Sequence, residues 1–229
     1  MDLSVAVYDL AGGGEWASGE DRTYVTASVV KVAVLAALLL RARDSGRWLT
    51  AGEERLAAAM IERSDNEAAT ALRAAAGGVA GLDAAHARLG MTRTSAAPAW
   101  GLTRTTAHDQ LTLLKAVFAD ADAMARPATV PAASAGLDER SRRCLAGLMG
   151  RVVPGQDWGI SAAATDRDRR DWALKNGWLP RGDSGLWVIH SVGRVRNCLV
   201  AVLSDGHPTK DAGIARVEEA AVSAVRRFV

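Results

Sequence analysis

The sequence predicts a two-lobed α/β (α+β) fold: a five-stranded antiparallel sheet flanked by helices, with an all-helical lobe inserted. Three observations predict it. Strand-like runs stand near both ends of the chain, two early and three late. Helical periodicity fills the stretch between them. And 229 residues, 49% of them hydrophobic, are enough for one core shared by both parts. The expectation is a single domain over 1–229, with one lobe made of 1–45 and 160–229 and a helical lobe of 46–159.

Leu3 to Leu10 (LSVAVYDL) alternates and runs into Ala11-Gly12-Gly13-Gly14, a strand and a turn. Glu15 to Ala27 reads as the returning strand and a short connection. From Ser28 to about Arg43 the pattern is helical and apolar on nearly every face, as in a helix buried at the centre of a domain. Thr50 and Glu53 form a capping box opening a second helix, to about Arg63. Ser64-Asp65-Asn66 breaks the pattern, Glu67 to Ala76 resumes it, and Gly77-Gly78 stops it. Leu82 to Leu89 is another short helix, ended by Gly90. Thr106 to Phe118 and Asp138 to Arg151 are two more, with an Ala/Pro-rich loop over Asp120 to Ala135 between them. Ser161 to Asp171 reads as a polar loop. Trp172 to Leu179, Leu186 to Val195 and Cys198 to Ser204 read as three strands, and Ile214 to Phe228 as a closing amphipathic helix.

The formal net charge of +2 argues against nucleic acid or a membrane surface as a partner. The basic run Arg167 to Arg170 is interrupted by Asp166, Asp168 and Asp171 and reads as a solvated loop. Cys144 and Cys198 have no metal-like spacing and read as buried core thiols. His86, His108, His190 and His207 are scattered, so neither a metal site nor a cofactor is expected. The most apolar run, Val32 to Leu40, is too short to span a bilayer, and no segment reads as an export signal. The expectation is a cytoplasmic monomer as the chain stands, periplasmic or secreted if a leader was removed.

Three clusters carry chemistry. Ser28-Val29-Val30-Lys31 sets a hydroxyl and an amine three residues apart at a helix start, on one face. A serine becomes nucleophilic when a base takes its proton, and a lysine desolvated by an apolar helix can be that base. The helix N-terminus also offers N–H groups to a developing oxyanion. The plainer alternative is an ordinary N-cap at Ser28 and an exposed first-turn Lys31. In Ser64-Asp65-Asn66, between two helices, Ser64 can relay a proton and Asn66 can bond a substrate amide; alternatively Ser64 and Glu67 form a capping box. In Lys175-Asn176-Gly177, on a strand, the lysine supplies positive potential and the glycine allows a ligand's backbone-like amide to come close; alternatively the lysine simply faces solvent before a turn.

In order and in flanking sequence, these three clusters resemble the motifs of the class A β-lactamases and related penicillin-recognising serine enzymes. The flanks include Asn66-Glu67-Ala68-Ala69 running to Gly77-Gly78, then Leu89-Gly90-Met91. The resemblance spans essentially the whole chain. It implies Ser28 as the acylated nucleophile, Lys31 as its base and Ser64 as the proton shuttle to the leaving group. It also implies that Asn66 binds the substrate side chain and Lys175 holds its carboxylate. Asn176, Gly177 and Trp178 would line the substrate, with the backbone N–H groups of Ser28 and Trp178 as oxyanion hole. The implied substrate is a small amide, β-lactam or ester.

The sequence departs from that pattern in one important place. The family places a deacylating glutamate after the Ser-Asp-Asn helix, but here Thr92 to Thr105 (TRTSAAPAWGLTRT) contains no Asp or Glu. Asn176 replaces the usual Thr or Ser, and the stretch between Lys31 and Ser64 is short, so Trp100 and Trp158 either reshape the site or pack in the core. Arg194 and Arg196 are further candidates for the substrate carboxylate. Three functions remain open: a β-lactamase-like serine hydrolase; a D-Ala-type peptidase or biosynthetic acyltransferase or thioesterase; and a non-catalytic ligand-binding or sensor homologue.

Overall fold

A computed structural model describes residues 1–19, 21–119, 136–165, 171–182 and 184–228. The expected Ala/Pro-rich loop over 120–135 and the basic run at 167–170 lie outside the described residues. The chain begins with β1 (Asp2–Asp9), β2 (Glu15–Ser18) and the short β3 (Tyr24–Val25). Helices α1 (Val30–Asp44), α2 (Ala51–Glu62), α3 (Asn66–Ala75) and α4 (Gly78–Arg88) follow, then β4 (Arg104–Thr105), α5 (Ala107–Phe118) and α6 (Glu139–Met149). The chain closes with β5 (Trp172–Pro180), β6 (Trp187–Val195), β7 (Cys198–His207) and α7 (Lys210–Val225).

The first two and last three long strands form one five-stranded sheet, β2-β1-β7-β6-β5, antiparallel throughout. β7 lies at its centre, between β1 and β6, and is buried over its first seven residues because helices cover both faces. Alternation sorts its side chains. Val200 and Val202 face a core completed by Val217, Ala221 and Val225 of α7, while Leu199, Ala201 and Leu203 face the larger helical core. In that second core α1 is buried from Val30 to Leu40, which explains its lack of a polar face. α5 packs between the sheet and the helices around α1.

Local chemistry sets the helix starts. Thr50 and Glu53 form the expected capping box on α2. Thr106, Asp138 and Thr209 each accept a backbone N–H at the starts of α5, α6 and α7. The closing helix therefore begins at Lys210, a turn before Ile214. α4 likewise begins at Gly78 rather than Leu82: a Cβ on Gly81 would stand 2.0 Å from Ala76 O, so glycine lets this helix start directly against the end of α3. Cys198 is buried, but Cys144 is only half-buried, since α6 turns it towards the core edge. The sequence pattern missed the two-residue pairing of β3 with β4, which lays the 92–105 stretch beside the start of α1. No helix among the described residues is long and apolar enough to cross a membrane.

Candidate active site

The site grows from the turn that opens α1. Ala27–Val29 is a 3-10 turn, and Ala27 holds φ 45°, a left-handed conformation that costs an alanine about 1 kcal/mol. The N-cap of α1 is Val29, with no side-chain bond, so Ser28 is not a cap. Among the described residues no hydrogen bond engages Ser28 Oγ. The turn is fixed from outside. Thr26 N donates to Thr103 O at 2.8 Å, and Val25 O accepts from His190 Nε2 at 2.8 Å. Since Ser204 N donates to His190 Nδ1 at 3.1 Å, the imidazole is neutral with its proton on Nε2. Burial holds the His190 pKa down at about 4.

Lys31 is fully buried, which overturns its reading as an exposed first-turn residue. Its Nζ donates to Ser64 O at 2.6 Å, Ser64 Oγ at 3.1 Å and Asn66 Oδ1 at 2.8 Å, using all three of its protons. The Trp100 ring covers it, 5.0 Å from Nζ to the ring centroid. Burial lowers the Lys31 pKa from 10.5 to about 8, although the nearby Asp65 carboxylate pulls the other way.

The Ser64–Glu67 capping box is not formed. Asp65 caps α3 instead, accepting Ala68 N at 2.7 Å, and Ser64 precedes it at φ 57°. That frees the Ser64 hydroxyl, which Lys175 Nζ reaches at 3.0 Å from the opposite side. Lys175 is also fully buried; desolvation and the neighbouring Lys31 amine lower its pKa well below the usual lysine value. One hydroxyl thus bridges two buried amines. Asn66 stands at the rim with its carbonyl oxygen on Lys31, and its amide nitrogen makes no hydrogen bond among the described residues.

On β5 the side chains alternate. Lys175 and Gly177 face α1, whereas Asn176 and Trp178 face the α7 layer. Asn176 Nδ2 donates to Gln156 O and Trp158 O, both at 2.9 Å, and the Trp178 ring packs against Trp158 with Lys210 Nζ at 4.5 Å. Near Ser28 these two residues therefore have only their backbone to offer. Gly177 does mark a close approach, but of the protein's own chain: a Cβ there would lie 3.0 Å from Ser28 N, Thr26 O and Val29 N. Arg194 and Arg196 are not brought to the site. Arg194 stands opposite Ala173, four residues along β5 from Gly177, and its guanidinium donates to Arg196 O at 3.0 Å. Trp158 packs on the far side of the sheet; Trp100 is at the site.

The 92–105 stretch is pinned by Arg73, which donates to Ala97 O and Pro98 O at 3.0 and 2.9 Å. Trp100 Nε1 donates to Thr70 Oγ1 at 3.2 Å, so the indole is fixed where it covers Lys31. Thr70 and His190 have no motif around them in the sequence; their roles arise only from the pairing of distant segments.

The profile of the Beta-lactamase enzyme family matches residues 52–225. That span includes Ser64, Asn66 and Lys175 and begins after Ser28 and Lys31. Among solved structures, the class A beta-lactamase from Mycobacterium abscessus superposes with a TM-score of 0.72 at 21% identity, covering 99% of this chain and 94% of that one. A beta-lactamase from Chitinophaga pinensis gives 0.75 at 17% identity, with 98% and 94% covered. An ancestral class A beta-lactamase gives 0.73 at 23%, with 99% and 94% covered. At these identities the likeness is one of fold. No curated protein matches the chain.

Proposed function

The chain belongs to the beta-lactamase enzyme family, and from that premise we propose a serine hydrolase that forms an acyl-enzyme on Ser28 with a small amide, lactam or ester. The observation that carries the proposal is Ser64 Oγ, 3.1 Å from Lys31 Nζ and 3.0 Å from Lys175 Nζ. With a pKa of about 8, Lys31 is partly neutral near neutral pH. On losing a proton its Nζ becomes an acceptor and can take the Ser28 proton as Oγ bonds to the substrate carbonyl. Ser64 then passes a proton to the leaving group, and Lys175 replenishes or electrostatically supports that hydroxyl. The negative charge developing on the carbonyl oxygen falls to the N–H groups of Ser28 and Trp178, where β5 and the α1 turn meet. Asn66, at the rim with an amide nitrogen that makes no hydrogen bond among the described residues, suits a substrate amide.

Incubating the protein with a labelled penicillin and measuring the intact mass tests this. A one-to-one adduct that is absent from Ser28→Ala is expected. The same mass for both proteins, without adduct, overturns it.

A second reading, transfer of the acyl group to an acceptor other than water, is favoured by one observation. The 92–105 stretch brings an indole, not a carboxylate, over Lys31. No carboxylate hydrogen-bonds to Ser28, Lys31 or Ser64 among the described residues. A penicillin adduct lasting hours, alongside turnover of a thioester or peptide with an added amine, selects transfer. Rapid release of penicilloic acid selects hydrolysis.

A further inference from the structure

We propose that Gln156 is a positioning residue for proton delivery to the leaving group: its side-chain amide holds Arg63 and so keeps the Ser64 hydroxyl between the Lys31 and Lys175 amines. The proposal rests on the acyl-enzyme reading above. Gln156 Nε2 donates to Arg63 O, one residue before Ser64, at 2.8 Å. Its backbone carbonyl accepts from Asn176 Nδ2, one residue after Lys175, at 2.9 Å. Gln156 therefore links the neighbour of Ser64 to the neighbour of Lys175, in parallel with the 3.0 Å bond from Lys175 Nζ to Ser64 Oγ. The segment before it is tied to the same junction: Val153 N donates to Glu62 O at 3.0 Å, and Gln156 N to Val153 O at 3.1 Å. Arg63 O can only accept, so the amide must turn its nitrogen towards it. The amide oxygen is then left buried without a hydrogen bond among the described residues. An unpaired buried oxygen is costly, so this amide adds little to fold stability; what it supplies is a fixed distance.

That distance matters because the hydrogen bonds to Ser64 itself come from two amines that change protonation. As an ammonium, Lys31 uses its three protons on Ser64 O, Ser64 Oγ and Asn66 Oδ1. On giving up one proton to become a base it keeps two, so one of these bonds is lost just as Ser64 has to be in place. Lys175 reaches Ser64 only at the hydroxyl whose proton is to move. Ser64 also stands at φ 57°, a backbone conformation that persists only where its surroundings impose it. A glutamine amide does not titrate, so the tie to Arg63 is the same at every stage of the reaction.

The test compares penicillin, whose ring nitrogen must take a proton as it leaves, with p-nitrophenyl acetate, whose aryloxide leaves as a stable anion. With penicillin the Ser28 Oγ–carbonyl bond forms, the carbonyl–nitrogen bond breaks, Lys31 takes the Ser28 proton and Ser64 gives one to the nitrogen. With the acetate the Ser28 Oγ–acetyl bond forms, the acetyl–oxygen bond breaks, and the Ser28 proton stays on Lys31. Misplacing a reacting group by about 1 Å costs about 100-fold, so Gln156→Ala should slow acylation by penicillin, followed by intact mass, by about 100-fold. The p-nitrophenol burst needs no proton from Ser64 and should slow by no more than about threefold. Gln156→Glu keeps the shape, but its carboxylate cannot donate, so it should behave as Gln156→Ala does and replaces it if the alanine variant fails to fold. Equal losses on the two substrates, wild-type rates in either variant, or a wild type acylated by the acetate alone overturn the positioning role while leaving the acyl-enzyme intact. No Ser28-dependent acylation by either substrate overturns the acyl-enzyme reading and the positioning role with it.

Discussion

Gly177→Ala is the sharpest test of how β5 meets the α1 turn. The new Cβ would stand 3.0 Å from Ser28 N, Thr26 O and Val29 N. Carbon prefers about 3.5–4.0 Å from such atoms, so strand and turn must part by roughly 0.5–1 Å. All three neighbours are backbone, and no side chain can swing away. Overpacking of this kind costs about 1–3 kcal/mol, or a fall in Tm of about 2–12 °C for a chain of this size. The kinetic effect should be larger than the stability loss suggests. If the N–H groups of Ser28 and Trp178 share one oxyanion, a shift of this size misplaces both donors, and about 100-fold is lost in acylation. The burst of p-nitrophenol from an activated acetate, with Tm from calorimetry, separates the two effects. Lower Tm with acylation within about threefold of wild type would show that the contact is structural and that β5 supplies no oxyanion donor. No change in either would refute the packing argument itself.

Other consequences are as direct. Because burial lowers Lys31 to about 8, acylation should rise about tenfold per pH unit up to that value and level off above it; a rate flat from pH 6 to 9 excludes Lys31 as the base. Trp100→Ala should admit water over Lys31 and shorten the lifetime of a penicillin adduct by about 100-fold, the low end of what a positioned base contributes, whereas an unchanged lifetime measured by intact mass contradicts the covering role. His190 titrates near 4 when folded and near 6.5 when unfolded, so between those values the unfolded chain binds the extra proton. Its contribution is therefore complete above pH 6.5 and is lost as pH falls towards 4, about 3 kcal/mol in all. Urea denaturation at pH 7 and 4.5 should show a smaller loss for His190→Gln than for wild type; equal losses contradict it.

The sheet and most helices were legible in the sequence because each carried its own local signal: alternation in β1, strand-like runs between short turns in β5–β7, an apolar stretch without a polar face in α1, a capping box on α2. The three motifs were legible for the same reason. What escaped lies in contacts between segments. Whether Ser64 or Asp65 caps α3 depends on a single bond to Ala68 N, and either residue suits it by type. The two-residue β3–β4 pairing is too short to leave a pattern, yet it brings Trp100 over Lys31. Asn176 and Gly177 are neighbours in sequence, but the pleat sends them to opposite sides of β5, and because the strand is buried on both faces its pattern does not tell which of them meets Ser28.

The energetics of this centre bear on what it is for. Lys31 and Lys175 are both fully buried and meet at one hydroxyl, each disfavouring the other's charge, while Ala27 and Ser64 hold left-handed backbone at either side of it. None of this stabilises the fold: buried charges are costlier than apolar side chains of the same size, and the two backbone conformations cost about 1 kcal/mol each. Static recognition of an anion would be served by one charged amine with its acceptors satisfied. Two amines on one hydroxyl do something else. When one is neutral and the other charged, Ser64 Oγ can donate to the first while accepting from the second, so a proton has a continuous path between them. An arrangement that spends stability on such a path, in one turn of chain with a serine whose hydroxyl no described residue engages, argues for proton transfer in bond making and breaking, and against a centre retained only to hold a ligand.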